Sequence, residues 1–408
     1  MLRILLLTFF LSGAMVFAGG FDNSGRPFDI IFGDQNALLV NVKFIQPLID
    51  LSVSRDLGQG QGMPNEAVEN IISPHIDGML GVRWQLNDEF NCALQLEQPF
   101  RFHTRYPDDR LSYQSDVSDS STQVPAPVES EYKSQSVTLA CRMGIAFSHS
   151  ADSFSMSRLS LIAGPKYQRI EGHFSSDLTQ SDLGEFDNYR ANLKGSEEWA
   201  YILGLAYEIP ELAFRLSVFF HNEVEHQLSG QTFAPLPDFS GTLSQPLRGE
   251  TLTPKALHLN LQSGIAEDWL AFLNLRWGDW SSVDEILVQA GPLSQQLSMF
   301  AHDTLNYELG LANRVSQRLN LGGQLASFID LDKPKLPDGL SGTNLRNPQG
   351  KRYSFAFGGN YLITDSLRVG MSASYYFLRH GRFSDQAYTV NLETSHAFVF
   401  SGTLQYSF

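Results

Sequence analysis

Several charged residues alternate with apolar neighbours and could therefore face one shared interior: Arg83, Glu97, Arg142, Arg276 and Arg368. A guanidinium group can hold a carboxylate through two charge-assisted hydrogen bonds, so these arginines could bind an acidic, otherwise apolar ligand. They could equally form an internal network of ion pairs. Arg276 is the best candidate for a ligand role, because Trp277 and Trp280 follow it closely. The two tryptophans could instead belong to an aromatic belt at a membrane interface.

The sequence gives little support for a catalytic site or a metal site. Ser395-His396 and His221-Asn222 are isolated pairs without the third member that a nucleophile-base-acid group needs, so no enzyme is predicted. The spacing of Cys92 and Cys141 matches no zinc or redox motif, and we expect neither a metal nor a cofactor. The two cysteines are either small apolar residues on an outer face or a disulfide between neighbouring strands, which an oxidising compartment would permit.

The segments that must position these residues alternate with a period of two. In the carboxyl-terminal segment, alternate residues from Phe398 to Phe408 are mostly apolar, whereas Ser401, Thr403, Gln405 and Ser407 lie between them. The same alternation occurs in 76–87, 351–363 and 366–379. Such a strand has one face in an apolar medium and the other in a polar one.

Fourteen strand-like segments can be counted, and the connections between them are alternately short and long. An even strand number, with short turns at one end and long loops at the other, is typical of a bacterial transmembrane barrel. An open sheet would expose unpaired backbone groups to lipid, so the sheet must close. The sequence therefore predicts an all-β fold, a transmembrane antiparallel β-barrel of 14 strands over residues 37–408. The segments are 37–56, 76–87, 89–106, 131–148, 153–172, 197–208, 212–227, 250–266, 268–282, 300–315, 318–330, 351–363, 366–379 and 396–408.

The first residues and the composition indicate the compartment. Residues 1–18 combine Arg3, a short apolar run and a small-residue cleavage site, which is typical of a secretory signal peptide and too short to span a membrane. The hydrophobic content of 42% suits a barrel, in which only every second residue faces lipid. The net charge of -15 excludes nucleic acid as a partner, because phosphate binding needs a basic surface.

Residues 19–36 precede the first strand and lack sustained alternation. The apolar residues Ile30, Ile31 and Phe32 favour burial, so we expect this segment to form a hatch, or plug, inside the barrel rather than a disordered tail. Within it, the candidate ligand contacts are Phe21, Arg26, Phe28 and Phe32.

Pro99 lies within the third predicted strand. Proline donates no backbone hydrogen bond and is confined to edges, strand starts or bulges, so Pro99 predicts a break in pairing. Gln98, Pro99 and Phe100 are therefore candidates for an opening in the barrel wall. The alternative is a strand end just above the membrane. Pro165 in the fifth strand raises the same question.

Several motifs resemble the FadL family of outer-membrane transporters for long-chain fatty acids and other hydrophobic compounds. The run from Trp277 to Ile286 resembles the family's tryptophan-serine motif, and Thr253 to Gly264 is similar to the approach to it. The run from Tyr201 to Glu211 resembles the family's central hairpin, and Gln98 to Phe100 with Tyr106-Pro107 resembles the end of its third strand. Ser24-Gly25 and Ile31-Phe32 are similar to the amino-terminal segment of its alphaproteobacterial branch. The Asn-Pro-Ala element common near the hatch is absent.

The resemblance implies a monomeric barrel with an amino-terminal hatch, located in the outer membrane among its lipid and lipopolysaccharide. Extracellular loops would capture the ligand, an apolar pocket would hold it, and a kink in the third strand would release it laterally. The predicted function is passive transport of hydrophobic ligands, with long-chain fatty acids as the expected class. The alternative is a general diffusion porin for small hydrophilic solutes.

Overall fold

A computed structural model describes the chain from residue 28 onward, with gaps. The described residues are 28–55, 63–105, 126–148, 156–181, 184–235, 242–283, 285–290, 293–299, 303–331, 352–378, 381–384, 388–392 and 395–408. The predicted signal peptide, 1–18, lies outside them, as do residues 19–27 of the predicted hatch.

Fourteen antiparallel strands form a closed ring, as the alternation predicts. Each strand pairs with its neighbours along the chain, and the last pairs with the first. The strands are β1 Ala37–Leu48, β2 His75–Gln85, β3 Phe90–Glu97, β4 Ala126–Ser148, β5 Met156–Ser181, β6 Gly184–Ile209, β7 Phe214–His221, β8 Ala256–Ala266, β9 Trp269–Gly278, β10 Thr304–Arg314, β11 Leu319–Asp330, β12 Arg352–Leu362, β13 Leu367–Leu378 and β14 Ser395–Ser407.

The predicted outer ends of the strands were wrong. Segments such as 173–196 and 228–249, which we expected to be polar loops, are largely strand. The outward apolar alternation ends where lipid ends, but the backbone ladder continues beyond it, with inward apolar residues such as Phe174, Leu193 and Leu228. The additional outer strands are Leu51–Arg55, Met63–Val68, Arg101–Arg105, Val224–Pro235, Thr242–Thr253, Glu285–Ala290, Leu293–Met299, Gly381–Ser384 and Tyr388–Leu392.

The first and last strands close the barrel along their whole length. Their register runs from Ala37 opposite Ser407 to Leu48 opposite His396. One further hydrogen bond joins the Phe408 N–H to the Asn36 carbonyl at 3.1 Å. The chain's last residue is therefore attached to the segment that precedes β1.

The outer face of the wall is apolar and exposed, whereas the side chains of its inner face are buried in the lumen. Along β4 to β6, Met143, Leu161 and Leu205 face outward and are 50%, 52% and 57% exposed. The alternate residues face inward and are buried, among them Arg142 and Ile162. This outward apolar band is the surface that lipid would cover. Among the described residues, no helix has the length and apolar character needed to cross a membrane.

The two cysteines form a disulfide. Cys92 of β3 lies directly opposite Cys141 of β4, and their sulfur atoms are bonded. Of the two alternatives that the sequence left open, the structure therefore selects the covalent link between neighbouring strands. A period-two pattern could not decide this, because it does not determine which residue of one strand faces which residue of the next.

Candidate ligand-binding site

Residues 28–36, here called the lumen segment, lie inside the barrel. A 3-10 turn, Asp29–Ile31, buries Phe28, Ile30, Ile31 and Phe32 almost completely. They pack on inward-facing apolar residues of the half of the barrel that carries the short turns, which is the periplasmic half in such proteins. We call this group the lower cluster: Phe28, Ile30, Ile31, Phe32, Leu39, Ala93, Ala140, Ile162, Ile202, Ala206 and Phe219.

Arg83 of β2 anchors the lumen segment through its backbone. Its Nε donates to the Gln35 carbonyl at 2.7 Å, and its Nη1 donates to the carbonyls of Ile30, at 3.2 Å, and Phe32. Asn91 adds a hydrogen bond from its Nδ2 to the Ile31 carbonyl at 3.1 Å. These donors replace the water that the buried carbonyls lose.

Two further arginines surround the Phe32 ring. The Arg215 guanidinium carbon lies 4.3 Å from the ring centroid, and that of Arg142 lies 5.0 Å from it. Arg215 also approaches Asp29 of the lumen segment at 3.5 Å, and Arg142 forms an ion pair with Glu208. Burial raises the pKa of Asp29, and the nearby Arg215 offsets part of that rise. Arg142 thus takes the second of the two roles that the sequence allowed, an internal ion pair, whereas Arg83 binds backbone carbonyls.

A second apolar group, the upper cluster, lies nearer the extracellular end. Phe100 and Trp280 meet in it edge to face, with ring centroids 6.2 Å apart, and Tyr132 lies beside Phe174 at 6.3 Å. The structure therefore brings together one residue predicted to belong to a wall opening and one predicted to contact ligand. The cluster comprises Phe100, Tyr132, Ile170, Phe174, Ala191, Leu193, Leu228, Leu247, Trp280 and Val283, with Leu252 packed against it.

A short turn after β9 directs Trp280 inward. The 3-10 turn Trp280–Ser282 is held by Asp303, whose carboxylate accepts hydrogen bonds from the Ser281 N–H and the Trp277 indole, both at 3.1 Å. Partial burial pushes the pKa of Asp303 upward, but the hydrogen bonds from Ser281 and its neighbours outweigh burial and leave the pKa below its ordinary value. Asp303 is therefore charged at neutral pH and holds the turn.

The two tryptophans of the motif have different environments. Trp280 is 4% exposed within the upper cluster. Trp277 is only partly buried and lies opposite Leu257 and Leu305, on the outward side of the wall. Trp277 thus occupies the position of an interface residue, whereas Trp280 can contact a ligand inside.

A basic layer separates the two clusters. Arg276 donates from Nε to His258 Nε2 at 3.1 Å, and the His258 and His221 rings are 5.0 Å apart. Lys166 lies close enough to both rings to act on them electrostatically. The order of the layers can be read along β5, where Ile162 belongs to the lower cluster, Lys166 to the basic layer and Ile170 to the upper cluster.

The wall between the second and third strands is interrupted where Pro99 predicted. The ladder between them ends at Met79 opposite Glu97, and a single bridge resumes at Ile72 opposite Thr104. Between these pairs, no ladder position joins described residues 73–78 to 98–103. The Arg101 Nη1 reaches across to the Ile76 carbonyl at 3.1 Å. We call this interruption the wall gap.

The gap also changes which residues face inward. Glu97 pairs with Ser136 and Arg101 with Lys133, so β3 and its outer continuation hold one residue more than the facing stretch of β4. Before this bulge, Gln95 is the inward residue; after it, Phe100 and Thr104 are. A bulge of one residue reverses the alternation and directs Phe100 into the upper cluster.

Pro165 does not open the wall. It remains in β5 opposite Tyr201, and the β4–β5 register is the same on both sides of it. A side chain at the preceding Gly164 would overlap the Leu139 carbonyl and the Ala140 Cα, so the two strands approach closely here. Glycine permits that approach because it has no Cβ.

The sequence anticipated only part of this interior. Phe21 and Arg26 lie outside the described residues; Phe28 and Phe32 belong to the lower cluster. Tyr132, Ile170 and Phe174, with Lys166 and His258 of the basic layer, were not proposed as site residues. Their inward position could have been read from the alternation, but their meeting point could not. Within the described residues, no group of three or more metal-ligating side chains could hold a metal ion.

A family model for outer membrane transport proteins (OMPP1/FadL/TodX) matches residues 11–408 of the chain. The chain belongs to this family. It is 14% identical to a Pseudomonas aeruginosa FadL homologue, with 95% of each chain covered and a TM-score of 0.72. It is 13% identical to the Pseudomonas putida toluene transporter TodX, with 92% of this chain and 91% of that one covered and a TM-score of 0.58. No curated protein sequence matches it.

Membership of the OMPP1/FadL/TodX family confirms several predictions. The chain is an outer-membrane barrel of fourteen strands and a channel for hydrophobic compounds rather than an enzyme. The likeness to solved structures, at such low identity, concerns the fold alone. The family includes proteins described as FadL homologues and as toluene transporters, so membership leaves the ligand open.

Proposed function

We propose that this family member carries long-chain fatty acids passively across the outer membrane. The observation that supports the proposal is the order of the layers along β5, where Ile170 of the upper cluster follows Lys166 of the basic layer. The cluster offers an apolar surface for an acyl chain, and Arg276 and Lys166 offer positive charge and donors for its carboxylate. A neutral hydrocarbon would need the first environment but not the second.

Transport through such a site needs no external energy source. Each methylene removed from water contributes about 0.8 kcal/mol, so burial of ten gives roughly 8 kcal/mol before ordering costs. A guanidinium or ammonium partner replaces part of the carboxylate's hydration through charge-assisted hydrogen bonds. The ligand can therefore bind from dilute solution and move down its gradient.

The proposed exit is lateral. Phe100 belongs to the upper cluster, and the wall gap begins two residues earlier, at Gln98 and Pro99. A ligand leaving the cluster along Phe100 would enter the outer membrane through the gap. In this proposal the lumen segment is the described part of a hatch, residues 19–36, that closes the periplasmic end with Phe28 and Phe32. Phe21 and Arg26 of the hatch would also contact the ligand.

The ligand class can be tested by comparing a fatty acid with a hydrocarbon. We expect Arg276→Gln and Lys166→Gln to weaken binding of oleate to the purified protein about tenfold or more, because a hydrogen bond to a charged group contributes about 1.5–3 kcal/mol. Binding of toluene should not change. Arg368→Gln removes an arginine from β13 and is the matched control, expected to bind oleate like the wild type.

Two outcomes would decide against fatty acids. If both variants kept wild-type oleate affinity, the basic layer would have no part in ligand binding. If they lost toluene and oleate equally, the effect would be one of packing. A deletion strain without a homologue should also lose oleate uptake and regain it from a plasmid copy.

The route can be tested by closing the wall gap. Gly78 and Gln98 continue the β2–β3 register on either side of the gap, so Gly78→Cys with Gln98→Cys can cross-link it. Lateral release predicts loss of oleate uptake on oxidation and recovery on reduction, while each single variant stays active. Uptake that persists in the cross-linked protein would indicate passage through the periplasmic end.

The lumen segment argues against the alternative of a general porin, which needs an open interior. In planar bilayers we expect low, intermittent ion currents from the wild-type protein. Large steady currents would favour the porin. We further propose that the protein acts as a monomer, which its mass in detergent would test.

A further inference from the structure

The outward surface of β4, β5 and β6 carries a band of charge just beyond its aromatic residues. Tyr167 and Trp199 stand side by side there, with ring centroids 5.3 Å apart, and Trp199 is 69% exposed. Aromatic rings at this position mark the boundary between lipid chains and head groups. The charged band therefore begins where the apolar surface ends.

The strand register arranges this surface in horizontal rows. Val137, Tyr167 and Trp199 lie opposite one another, and we call this row the aromatic row after its Tyr and Trp. The next row outward places Arg169 beside Glu197, and the row after it joins Arg101, Lys133 and Glu171. We call these five charged residues the rim patch. The row beyond holds His103, Glu131 and His173.

The height of the rim patch matches that of lipid head groups. Successive outward residues lie two positions apart, or about 7 Å along a strand. With strands tilted by about 35–45°, the two charged rows lie roughly 5 and 10 Å beyond the aromatic row. The head-group region of a leaflet is about 5–8 Å thick, so the first charged row lies within it. The second row lies just beyond it, and the long Lys133 and Arg101 side chains can reach back into it.

The internal contacts of the rim patch do not explain its presence. Lys133 Nζ lies 3.1 Å from Glu171, and Arg169 lies 3.4 Å from Glu171 and 3.8 Å from Glu197. The side chains of Lys133 and Arg169 are both 47% exposed. Exposed ion pairs of this kind stabilise a protein little. The patch nevertheless places three cations against two carboxylates on a chain of net charge -15.

We infer that the rim patch binds the phosphate groups of lipopolysaccharide in the outer leaflet. Lys133 and Arg169 contact the phosphate, and Arg101 adds a third positive charge from the edge of the wall gap. Glu171 then shares its two cations with the phosphate. The acyl chains lie on the apolar band below, against Met143, Leu161 and Leu205, and the Tyr167 and Trp199 rings lie under the sugars.

Lipid binding at the rim patch does not depend on which hydrophobic compound the channel carries. It concerns the outside of the barrel, whereas the proposed ligand site is inside. Its one connection with transport is the position of Arg101 at the wall gap, which places the bound lipid beside the proposed exit.

The experiment measures lipid binding to the full-length protein purified in detergent. The probes are bisphosphorylated lipid A and the same lipid A after enzymatic removal of its phosphates. We expect Lys133→Gln and Arg169→Gln each to weaken binding of the phosphorylated probe about fivefold, and the double variant about 25-fold, from the usual contribution of one cation near a charged lipid surface. Higher salt should weaken wild-type binding in the same direction.

Arg314→Gln is the matched control. Arg314 is a partly exposed arginine paired with Asp268 at 3.7 Å, but at the periplasmic end of β10. It should bind both probes like the wild type. The inference fails if the double variant binds phosphorylated lipid A with wild-type affinity, or if the wild type binds the dephosphorylated probe equally tightly. Heat-modifiable migration shows that each variant has folded.

Discussion

At the scale of single residues, a buried charge decides where a segment of chain lies. Arg83 holds three carbonyls of the lumen segment, whose own apolar side chains fill the space beside it. Removing the guanidinium would leave those carbonyls without donors in a place that water reaches poorly. The alternation predicted that Arg83 faces inward, but its partners are backbone atoms, which no residue type could have revealed.

Arg83→Gln should therefore loosen the lumen segment without unfolding the barrel. A hydrogen bond from a charged group contributes about 1.5–3 kcal/mol, and the variant loses more than one. In planar bilayers we expect more frequent and larger openings than in the wild type. Arg368→Gln, which removes an inward-facing arginine that makes no hydrogen bond or ion pair with described residues 28–36, should behave like the wild type. Equal conductance of all three proteins would contradict the anchoring role.

At the scale of elements, β3 is the most specialised strand. On one side the disulfide from Cys92 links it to β4; on the other its ladder with β2 stops at Glu97. The lower half of β3 is thus held on both sides, while its continuation past Pro99 is held mainly by β4. The covalent link therefore holds β3 to β4 beside the wall gap.

Loss of the disulfide should weaken this arrangement. The two cysteines are 49 residues apart, and a cross-link closing a loop of that length stabilises the folded state by about 4 kcal/mol in the chain-entropy model. We expect Cys92→Ser with Cys141→Ser to lower the free energy of unfolding in urea by up to that amount. Wild type with reductant should match the variant. If a thiol reagent labelled both cysteines of the wild type without reductant, the two cysteines would not form a disulfide.

At the scale of the whole molecule, closure of the barrel wall is coupled to filling of the lumen by residues 28–36. β14 pairs with β1, and Phe408 is hydrogen-bonded to Asn36, the last residue of the lumen segment. The same junction therefore closes the barrel wall and fixes the position of the lumen segment's last residue. The chain needs this seal because unpaired backbone groups in lipid cost several kcal/mol each.

Deletion of 404–408 should prevent folding. It removes the partners of Ala37 to Val40 on β1 and of Leu367 to Val369 on β13. We expect the truncated chain to lack heat-modifiable migration and to be absent from the outer-membrane fraction. Phe408→Leu keeps the backbone and an apolar side chain, so it should fold. Normal migration of the truncated chain would show that closure tolerates a partly unpaired β1.

The amino-acid sequence by itself determined the wall. Alternation with a period of two depends only on neighbours in the chain, so it predicted the strands, their inward and outward faces and the break at Pro99. Burial of Ile30, Ile31 and Phe32 followed from their apolar character. Only the tertiary structure decided which residues meet in the interior. The upper cluster joins Phe100 to Trp280, 180 positions away, and the basic layer joins Lys166 to Arg276, because ring closure and strand register bring distant strands face to face across the lumen.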